Sequence, residues 1–464
     1  MNERISSMGL KLAYFYLDSN PDKNIPKLMN WVDRFDKDDS MKGQRQAIRK
    51  IIEDKNNNWY QLILSLWNDL DAGVRKAFFN NFIINATAIG YQKQDKLREA
   101  YDCNIPWAIL MDPTSACNLK CTGCWAADYG NQLSMSLETL DSIIRQGKEM
   151  GVYFYLYSGG EPLVRKKDII KLCEKHKDCV FAAFTNGTLI DEEFADEMLR
   201  VKNFIPAISI EGFEEATDSR RGKGTYKAVI RAMEILKKKK LAFGTSCCYT
   251  RHNTEVIGSE EFFDDMIEKG AKFAWFFTYM PVGVDSPSDL LVTAEQREFM
   301  YRQIRKFRET KPLFTLDFWN DGEFVEGCIA GGRRYLHINA GGDIEPCAFI
   351  HYSDSNIYQK TLLEALRSPL FMQYHKNQPF NENHLRPCPL LDNPGRLSRM
   401  VEVSGAKSTD MMKPQNVQDL SAKCVNAAEN WAIAADRIWS ESHACAGCTA
   451  CGGSAVKETI STSA

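Results

Sequence analysis

The sequence of 464 residues contains no run of the ~18 apolar residues that a helix needs to cross a membrane. Residues 1–16 contain neither a long apolar run nor the small-residue cleavage site of a secretion signal. From these two absences we expect a cytoplasmic protein without an integral membrane segment. The formal net charge is only −3, so no basic excess indicates a nucleic-acid partner.

Cysteine is absent from residues 1–102, although the whole chain contains 15 cysteines. Apolar residues in this first part recur at helical spacing, which predicts an all-helical domain over residues 1–102. In a long chain without a secretion signal, the later cysteines indicate metal ligands or catalytic thiols rather than disulfides. Four of them fall within predicted helices and strands and are expected to be small buried residues: Cys173, Cys179, Cys247 and Cys248.

Six short apolar runs alternate with amphipathic stretches over residues 103–290. The runs cover residues 107–111, 152–157, 180–184, 204–210, 242–248 and 273–278. Strands that alternate with helices in this way form a parallel sheet with crossover helices. We therefore predict an α/β fold, a partial (β/α)6 TIM-like barrel, with functional residues at the carboxyl ends of its strands.

The chain changes character after residue 290. Residues 291–395 contain glycine-rich loops and scattered cysteines, with a predicted strand at residues 335–338 and a hairpin turn at Gly341-Gly342. Residues 396–464 are interpreted as a linker, a helix and a cysteine-containing tail. A loop-rich C-terminal extension is therefore expected to follow the barrel.

Three cysteines directly follow the first predicted strand, in the segment Cys117-Asn-Leu-Lys-Cys121-Thr-Gly-Cys124. Three thiolates at this spacing can bind three irons of a cubane [4Fe–4S] cluster, and no fourth cysteine follows at ligand spacing. One iron would then stay open for chemistry. The alternatives are chance spacing or a structural zinc site, but zinc prefers four ligands and no histidine lies nearby in the sequence.

This CxxxCxxC segment resembles the signature of the radical S-adenosylmethionine (SAM) superfamily. The resemblance implies that the open iron binds SAM, and that reductive cleavage of SAM gives a 5′-deoxyadenosyl radical for hydrogen abstraction. It also implies an electron donor, such as a reductase, a flavodoxin or a ferredoxin. The sequence departs from the family at Gly123, where an aromatic residue is common, and Trp125 follows the third cysteine instead.

Three further strand ends resemble SAM-binding elements of the same superfamily. The segment Ser158-Gly159-Gly160-Glu161-Pro162 resembles the element whose backbone contacts the SAM amino group. A Thr-Asn-Gly turn follows the third strand, and a Ser-Ile-Glu-Gly segment ends the fourth. The resemblance implies that Ser209 and Arg221 contact the ribose or carboxylate of SAM. The cofactor-binding candidates are Gly159, Gly160, Glu161, Asn186, Ser209, Glu211 and Arg221.

The cysteines after the barrel resemble the auxiliary-cluster ligands of a SPASM or twitch extension. The first candidates are Cys328, Cys347 and Cys388. A full SPASM domain continues with a further cysteine run soon afterwards, which this chain lacks. Its last cysteines could instead complete such clusters with Cys388 or Cys424, and these are Cys445, Cys448 and Cys451. We expect one or two auxiliary clusters, with a four-cysteine zinc site as the alternative.

Enzymes with such extensions mostly modify peptides, so the resemblance implies a peptide or protein substrate. A lipid or small molecule is the alternative, because the N-terminal helical domain is rich in aromatic residues. A different class, the non-catalytic iron–sulfur electron carrier, would close every cluster with four ligands and would not need the glycine-rich strand end. The sequence offers five candidate acids or bases without selecting among them: Asp317, Asp321, Glu323, Tyr279 and His337.

Overall fold

The computed structural model describes residues 3–25, 27, 42–283 and 286–443. The described residues that precede the barrel form helices, as predicted, and no helix in the described part of the chain is long and apolar enough to cross a membrane. These N-terminal helices are α1 (Glu3–Ser19), α2 (Lys42–Glu53), α3 (Asn58–Asp69), α4 (Ala72–Phe78), a π-helical segment (Phe79–Gly90) and α5 (Tyr91–Tyr101).

A sheet of nine strands forms the centre of the molecule. The strands are β1 (Ala108–Met111), β2 (Phe154–Tyr157), β3 (Val180–Thr185), β4 (Phe204–Ser209), β5 (Gly244–Tyr249), β6 (Phe273–Thr278), β7 (Phe314–Asp317), β8 (Tyr335–Ile338) and β9 (Ile344–Glu345). Their order is β7-β6-β5-β4-β3-β2-β1-β8-β9, and only β8 and β9 pair in the antiparallel direction. All six predicted strands are present, which confirms the partial barrel.

Crossover helices connect the parallel strands and cover the outside of the sheet. They are α6 (Leu137–Glu149), α7 (Lys166–Lys175), α8 (Glu192–Val201), α9 (Glu214–Arg221), α10 (Thr225–Lys238), α11 (Thr254–Ile257), α12 (Glu260–Lys269) and α13 (Ala294–Thr310). Several begin at a side chain that accepts a hydrogen bond from a free backbone N–H of the first turn. Ser136, Asp191, Ser259 and Thr293 have this capping role.

Successive residues of each parallel strand face opposite sides of the sheet. In β6, Ala274 and Phe276 are fully buried, and Phe276 stacks on Phe263 of the outer helix α12. Trp275 and Phe277 face the barrel interior and line a cavity there. Both faces are covered, so the strand sequence reads as a continuous apolar run rather than an alternating one.

The predicted strand at residues 335–338 extends the barrel sheet. This strand, β8, pairs with β1 in parallel register, from Ala108 opposite Tyr335 to Met111 opposite Ile338. The predicted turn at Gly341-Gly342 then leads into β9, which pairs with β8 in the antiparallel direction. The C-terminal extension therefore begins as part of the same sheet as the three-cysteine loop.

The rest of the extension is mainly helical. Its elements are β10 (Tyr352–Ser353), α14 (Leu362–Leu366), α15 (Pro369–Asn377), α16 (Pro394–Ser404), β11 (Lys407–Ser408), α17 (Val417–Ala422) and α18 (Val425–His443). Helix α18 packs on α13 through Trp431, whose ring lies 4.2 Å from the Arg297 guanidinium. Arg297 also forms a buried ion pair of 2.5 Å with Asp392, and this pair connects the barrel to the extension.

The π-helical segment packs against the amino ends of β1 and β2. The Phe82 ring lies 5.3 Å from Trp107 and 5.5 Å from Phe154, both in edge-to-face geometry. The indole N–H of Trp107 donates to the Ala86 carbonyl at 3.1 Å. The Asn81 amide donates to the carbonyl of Cys179 at 2.8 Å. Aromatic packing and buried hydrogen bonds thus hold the helical part beneath the barrel.

Phe82→Ala should lower the free energy of unfolding by about 2–3 kcal/mol, since it removes an aromatic ring that contacts both Trp107 and Phe154. Urea denaturation followed by circular dichroism measures the change. Phe15→Ala is the matched control, because Phe15 is 56% exposed and its loss should cost less than about 0.5 kcal/mol. Equal effects of the two substitutions would contradict the packing described here.

Candidate functional site

The three-cysteine loop lies at the carboxyl end of β1, at the rim where the parallel strands end. Burial raises the pKa of Cys117 to about 11, and the charges of Glu161, Cys121 and Cys124 add to the rise. Among the described residues, no three His, Cys, Asp or Glu side chains lie close enough to hold one metal ion. In a cubane cluster each thiolate would bind a different iron, so the three thiols would not need to converge on one ion.

Two arginines at the end of α9 face this loop and share one carboxylate. The Oε1 atom of Glu211 accepts from Arg220 at 2.6 Å and from Arg221 at 2.5 Å, and the Glu211 side chain is fully buried. Arg221 also lies 4.0 Å from the Cys121 sulfur, and Arg220 donates to the Thr122 carbonyl at 3.2 Å. Within this group of three side chains, two cations against one anion leave one positive charge, which suits an anionic ligand.

Gly159 and Gly160 let the end of β2 pass very close to the start of the cysteine loop. Gly159 has φ +99°, and a Cβ atom there would lie 2.8 Å from the Cβ of Asp112. A Cβ on Gly160 would lie 2.3 Å from the Ala116 carbonyl oxygen. The Glu161 N–H donates to that same carbonyl at 2.8 Å. These glycines are therefore required for the packing of the loop segment that leads to Cys117.

Glu161 and Asn186 position backbone and loop atoms around the cysteines. The buried Glu161 carboxylate accepts hydrogen bonds from the Thr185 hydroxyl at 2.6 Å and from the Asn186 N–H at 2.7 Å. The Asn186 side-chain amide donates to Asn118 at 2.8 Å, one residue after Cys117. Glu161 and Asn186 therefore connect the ends of β2 and β3 to the cysteine loop.

A cavity of about 230 Å³ extends from this rim into the barrel interior. Ser209 and Arg221, two of the seven candidate SAM-binding residues, lie in its wall. The wall does not include the other five candidates, which are Gly159, Gly160, Glu161, Asn186 and Glu211. Those five surround the cysteine loop or hold the arginines.

Gly123 and Trp125, where the sequence departs from the family, both line the cavity. Gly123 has φ +65°, and a Cβ atom there would lie 2.7 Å from the Tyr279 ring. Tyr279 therefore occupies the space into which a side chain at position 123 would project. The Trp125 ring lies 5.7 Å from His337 and 5.8 Å from Phe349. Trp125 thus forms the wall between the cysteine loop and the extension.

Arg220 and Cys248 are among the cavity-wall residues that sequence reasoning missed. Cys248 was expected to be a small buried residue, but its position near the end of β5 turns its thiol toward Arg220. Burial raises the pKa of Cys248 to about 11, and the Arg220 charge opposes that rise. The alternation of inward and outward residues along β5 could have placed Cys248 in the wall, since Ser246 and Cys248 both face inward.

Of the five candidate acids and bases, Tyr279 is the one in the cavity wall. Burial raises the pKa of Tyr279 to about 12. Asp321 pairs with Arg308 at 2.7 Å, and Glu323 pairs with Arg305. Asp317 is buried below the rim and accepts from the Tyr249 hydroxyl at 3.2 Å. Burial raises the pKa of Asp317 to about 6, and the charge of Asp321 adds to this rise.

The fifth candidate, His337, lies fully buried between two carboxylates. Its Nε2 atom is 3.0 Å from Asp112, and its Nδ1 atom is 2.6 Å from Glu345. Burial disfavours its charge, but the two carboxylates outweigh burial and raise its pKa to about 10. Asp112 also accepts from the Ser158 hydroxyl at 2.7 Å, and Glu345 accepts from the Tyr129 hydroxyl at 2.9 Å. An imidazolium thus joins the starts of the cysteine loop and glycine segment to the extension.

A second group of cysteines gathers in the extension. Burial raises the pKa values of Cys328 to about 12 and Cys388 to about 11, and the charge of Cys388 adds to the rise at Cys328. Cys347 accepts a hydrogen bond from the Tyr335 hydroxyl at 2.7 Å. Burial raises the pKa of Cys347, and the charges of Cys328 and Cys388 add to the rise. Cys424, which the sequence offered as a possible partner of the last three cysteines, lies near Cys388 and is buried. The predicted Cys445, Cys448 and Cys451 lie outside the described residues.

The fold and the site define a class: a partial (β/α) barrel with a three-cysteine loop at the carboxyl end of its first strand. Comparison with known families supports this class, since residues 111–255 match the model described as the Radical SAM superfamily. The match runs from the last residue of β1 through β5 and includes all three cysteines of the loop.

Three curated relatives are similar to parts of the chain. The Fe-coproporphyrin III synthase of Methanosarcina barkeri is 26% identical over 47% of this chain and 57% of its own length. The cysteine-type anaerobic sulfatase-maturating enzyme of Clostridium perfringens is 30% identical over 48% and 62%. The PqqA peptide cyclase of Granulibacter bethesdensis is 23% identical over 52% and 67%. The chain thus spans less than two thirds of the length of the first two.

Among solved structures, SuiB of Streptococcus suis bound to S-adenosylmethionine matches with a TM-score of 0.52. The match has 19% sequence identity and covers 63% of this chain and 73% of SuiB, so it supports the fold. Residues 111–255 therefore match a radical SAM domain, and the chain is similar to the cysteine-type anaerobic sulfatase-maturating enzyme over about half of its length. A domain of this superfamily implies a [4Fe–4S] cluster and SAM as cofactors.

His337→Gln should lower the free energy of unfolding by about 3–5 kcal/mol at neutral pH, because it leaves two buried carboxylates without their cation. The pKa of His337 is raised from 6.5 to about 10, so its contribution is complete below pH 6.5 and is lost as the pH rises through 10. The difference between wild type and variant should therefore shrink at alkaline pH.

Urea unfolding at several pH values measures this difference. His252→Gln is the matched control, since the His252 side chain is 62% exposed and its replacement should have little effect. A His337→Gln effect below about 1 kcal/mol, or one that is the same at every pH, would show that His337 is not a structural cation.

Proposed function

We propose that this chain binds a [4Fe–4S] cluster through Cys117, Cys121 and Cys124 and uses it with SAM to remove a hydrogen atom from a bound substrate. The observation that carries this proposal is the shared rim. The three thiols, the positive pair Arg220 and Arg221, and the mouth of the cavity all lie there. An electron carrier would not need this cavity beside its cluster.

When bound, the cluster and SAM supply reductive cleavage of SAM to a 5′-deoxyadenosyl radical. The chain itself supplies binding, orientation and exclusion of water. Arg220 and Arg221 share Glu211 and therefore keep one positive charge for an anionic group of the ligand. Ser209 offers a hydroxyl in the same wall. Trp125 and Tyr279 close the sides and limit the entry of water.

The residues around the loop also fix its position. Gly159, Gly160 and Glu161 join the end of β2 to residues 112–116. Asn186 holds Asn118 beside Cys117. A loop held by several strand ends keeps its three thiolates in place before the cluster binds, which is preorganisation of the ligand set. A low-potential donor such as a flavodoxin or ferredoxin would supply the electron.

We further propose an auxiliary iron–sulfur cluster bound by Cys328, Cys347 and Cys388, with Cys424 as the fourth ligand. All four thiols are partly or fully buried, and Cys424 lies at the start of α18 near Cys388. The Tyr335 hydroxyl donates to the Cys347 sulfur and would stabilise a thiolate there. Four cysteines would close this cluster, whereas the loop cluster keeps an open iron.

Two substrate classes have support. The names of two relatives, the sulfatase-maturating enzyme and the PqqA peptide cyclase, favour a peptide or protein substrate. The name of a third, Fe-coproporphyrin III synthase, is that of a tetrapyrrole enzyme, so the relatives do not share one substrate class. The cavity of this chain favours a second candidate, an apolar small molecule, because its inner wall is mostly aromatic.

Cys121→Ala should abolish formation of 5′-deoxyadenosine from SAM and dithionite, because it removes a cluster ligand from the rim. Liquid chromatography of the quenched reaction measures the product after anaerobic reconstitution. Cys173→Ala is the matched control, since Cys173 is fully buried in α7 and should leave the product yield near that of wild type. Undiminished product from Cys121→Ala would disprove the ligand assignment.

Cys347→Ala should lower the iron content by about four atoms per chain while 5′-deoxyadenosine still forms without substrate. Cys424→Ala should lower the iron content in the same way if Cys424 is the fourth ligand. Cys103→Ala is the control, because Cys103 is buried at the start of the barrel. Wild-type iron content in Cys347→Ala would remove the auxiliary cluster, and wild-type content in Cys424→Ala alone would remove that ligand.

A further inference from the structure

The cavity wall combines polar and aromatic positions. Ser158, Ser209 and Cys248 give polar positions at the ends of β2, β4 and β5. Most of the remaining wall is aromatic, from the amino ends of β1 and β2 up to Phe277, which pairs with Cys248, and we call this region the aromatic chamber. It is formed by Trp107, Phe154, Phe184, Trp275, Phe277 and Phe349.

The chamber walls are held by contacts between aromatic rings. Phe184 lies 5.2 Å from Trp275 and 5.6 Å from Phe277. Trp107 lies 5.2 Å from Phe154, and Phe82 of the π-helical segment packs against both from below. Ring contacts therefore hold the chamber walls in place, and the π-helical segment packs beneath them.

Arg334 lies in the cavity wall, in the residue just before β8 and beside the amino end of β1. Its guanidinium donates to the Tyr91 hydroxyl at 3.2 Å and lies 5.6 Å from the Tyr91 ring. Within the described part of the chain, no Asp, Glu or Lys contributes to the cavity wall. The end of the cavity opposite the cysteine loop thus carries the Arg334 cation, which donates a hydrogen bond to a neutral phenol.

We propose that the aromatic chamber binds the hydrocarbon chain of an anionic amphiphile, with Arg334 contacting its anionic end group. This inference rests on the proposed function, because it names the substrate class of the same site. The chain would run from Arg334 toward the rim, where Arg220, Arg221 and the cysteine loop lie. Aromatic and aliphatic walls favour such a chain through burial of apolar surface.

A peptide backbone fits this chamber less well than a hydrocarbon chain. Each peptide unit brings one N–H and one C=O, and burying them without partners costs free energy. The aromatic chamber offers such groups few donors or acceptors, since the Tyr335 hydroxyl already donates to Cys347. A hydrocarbon chain has no polar groups to satisfy, and its charged end meets the one cation at that end of the cavity.

Isothermal titration calorimetry of the full chain with dodecanoate, below its micelle-forming concentration, tests this inference. We expect one dodecanoate per chain, weaker binding of hexanoate, and weaker binding of dodecyltrimethylammonium, whose head group has the opposite charge. Arg334→Gln should weaken dodecanoate binding by about tenfold and leave dodecanol unchanged. Arg333→Gln is the matched control, because Arg333 pairs with Glu326 at 3.0 Å and is not in the cavity wall.

A second variant, Leu110→Trp, narrows the cavity and should weaken every long-chain probe, with circular dichroism as the check on folding. Dodecyl phosphate in parallel distinguishes a phosphate head group from a carboxylate as the preferred anionic end. Equal binding of dodecanoate and dodecyltrimethylammonium, or wild-type binding in both Arg334→Gln and Leu110→Trp, would overturn the inference. Tighter binding of a capped Leu-Gly octapeptide, lost in Leu110→Trp, would overturn it in favour of a peptide.

The same preparations separate this inference from the proposed function. Formation of 5′-deoxyadenosine from SAM and dithionite without any binding of dodecanoate would reject the amphiphile alone. Full clusters without 5′-deoxyadenosine would reject the proposed function, whatever the calorimetry shows. Dodecanoate binding can be measured on the cluster-free chain, so its result does not depend on activity.

Discussion

The parallel pairing of β1 with both β2 and β8 is the constraint on which the site depends. Parallel strands end at the same edge, so the cysteine loop after β1 meets the glycine segment after β2. The pairing with β8 places His337 beside Asp112 and carries the extension to the same rim. The loop, the glycines and the extension are thus neighbours because of strand direction, although 200 residues separate parts of them.

Electrostatic balance then sets the chemistry of the rim. Two arginines share the single carboxylate of Glu211, so a net positive charge faces the thiols. On the other side of the loop, His337 remains charged between Asp112 and Glu345 and holds buried anions in place. The arginine pair with Glu211 leaves one positive charge available for a ligand. The His337 cation is paired with two buried carboxylates and stabilises the structure.

Much of the fold follows from local patterns in the sequence. Apolar runs that alternate with amphipathic stretches predicted the six strands and their parallel sheet, and the cysteine spacing predicted the loop. The location of Arg220, Cys248 and Cys424 required three-dimensional packing, since each approaches its neighbours through contacts distant in sequence. Gly159 and Gly160 pack against the segment that leads to the cysteine loop, which sequence alone does not show, and their contact with a ligand stays a prediction. The aromatic chamber was likewise hidden, since inward and outward aromatic residues look alike in a buried strand.

The most direct test of the central claim is an iron count combined with 5′-deoxyadenosine formation by the reconstituted wild-type chain. The account predicts about eight irons per chain, one open and one closed cluster, and 5′-deoxyadenosine from SAM and dithionite. Full iron content without any 5′-deoxyadenosine would contradict the account and would indicate an electron carrier. About four irons with 5′-deoxyadenosine would retain the loop cluster and contradict the auxiliary one.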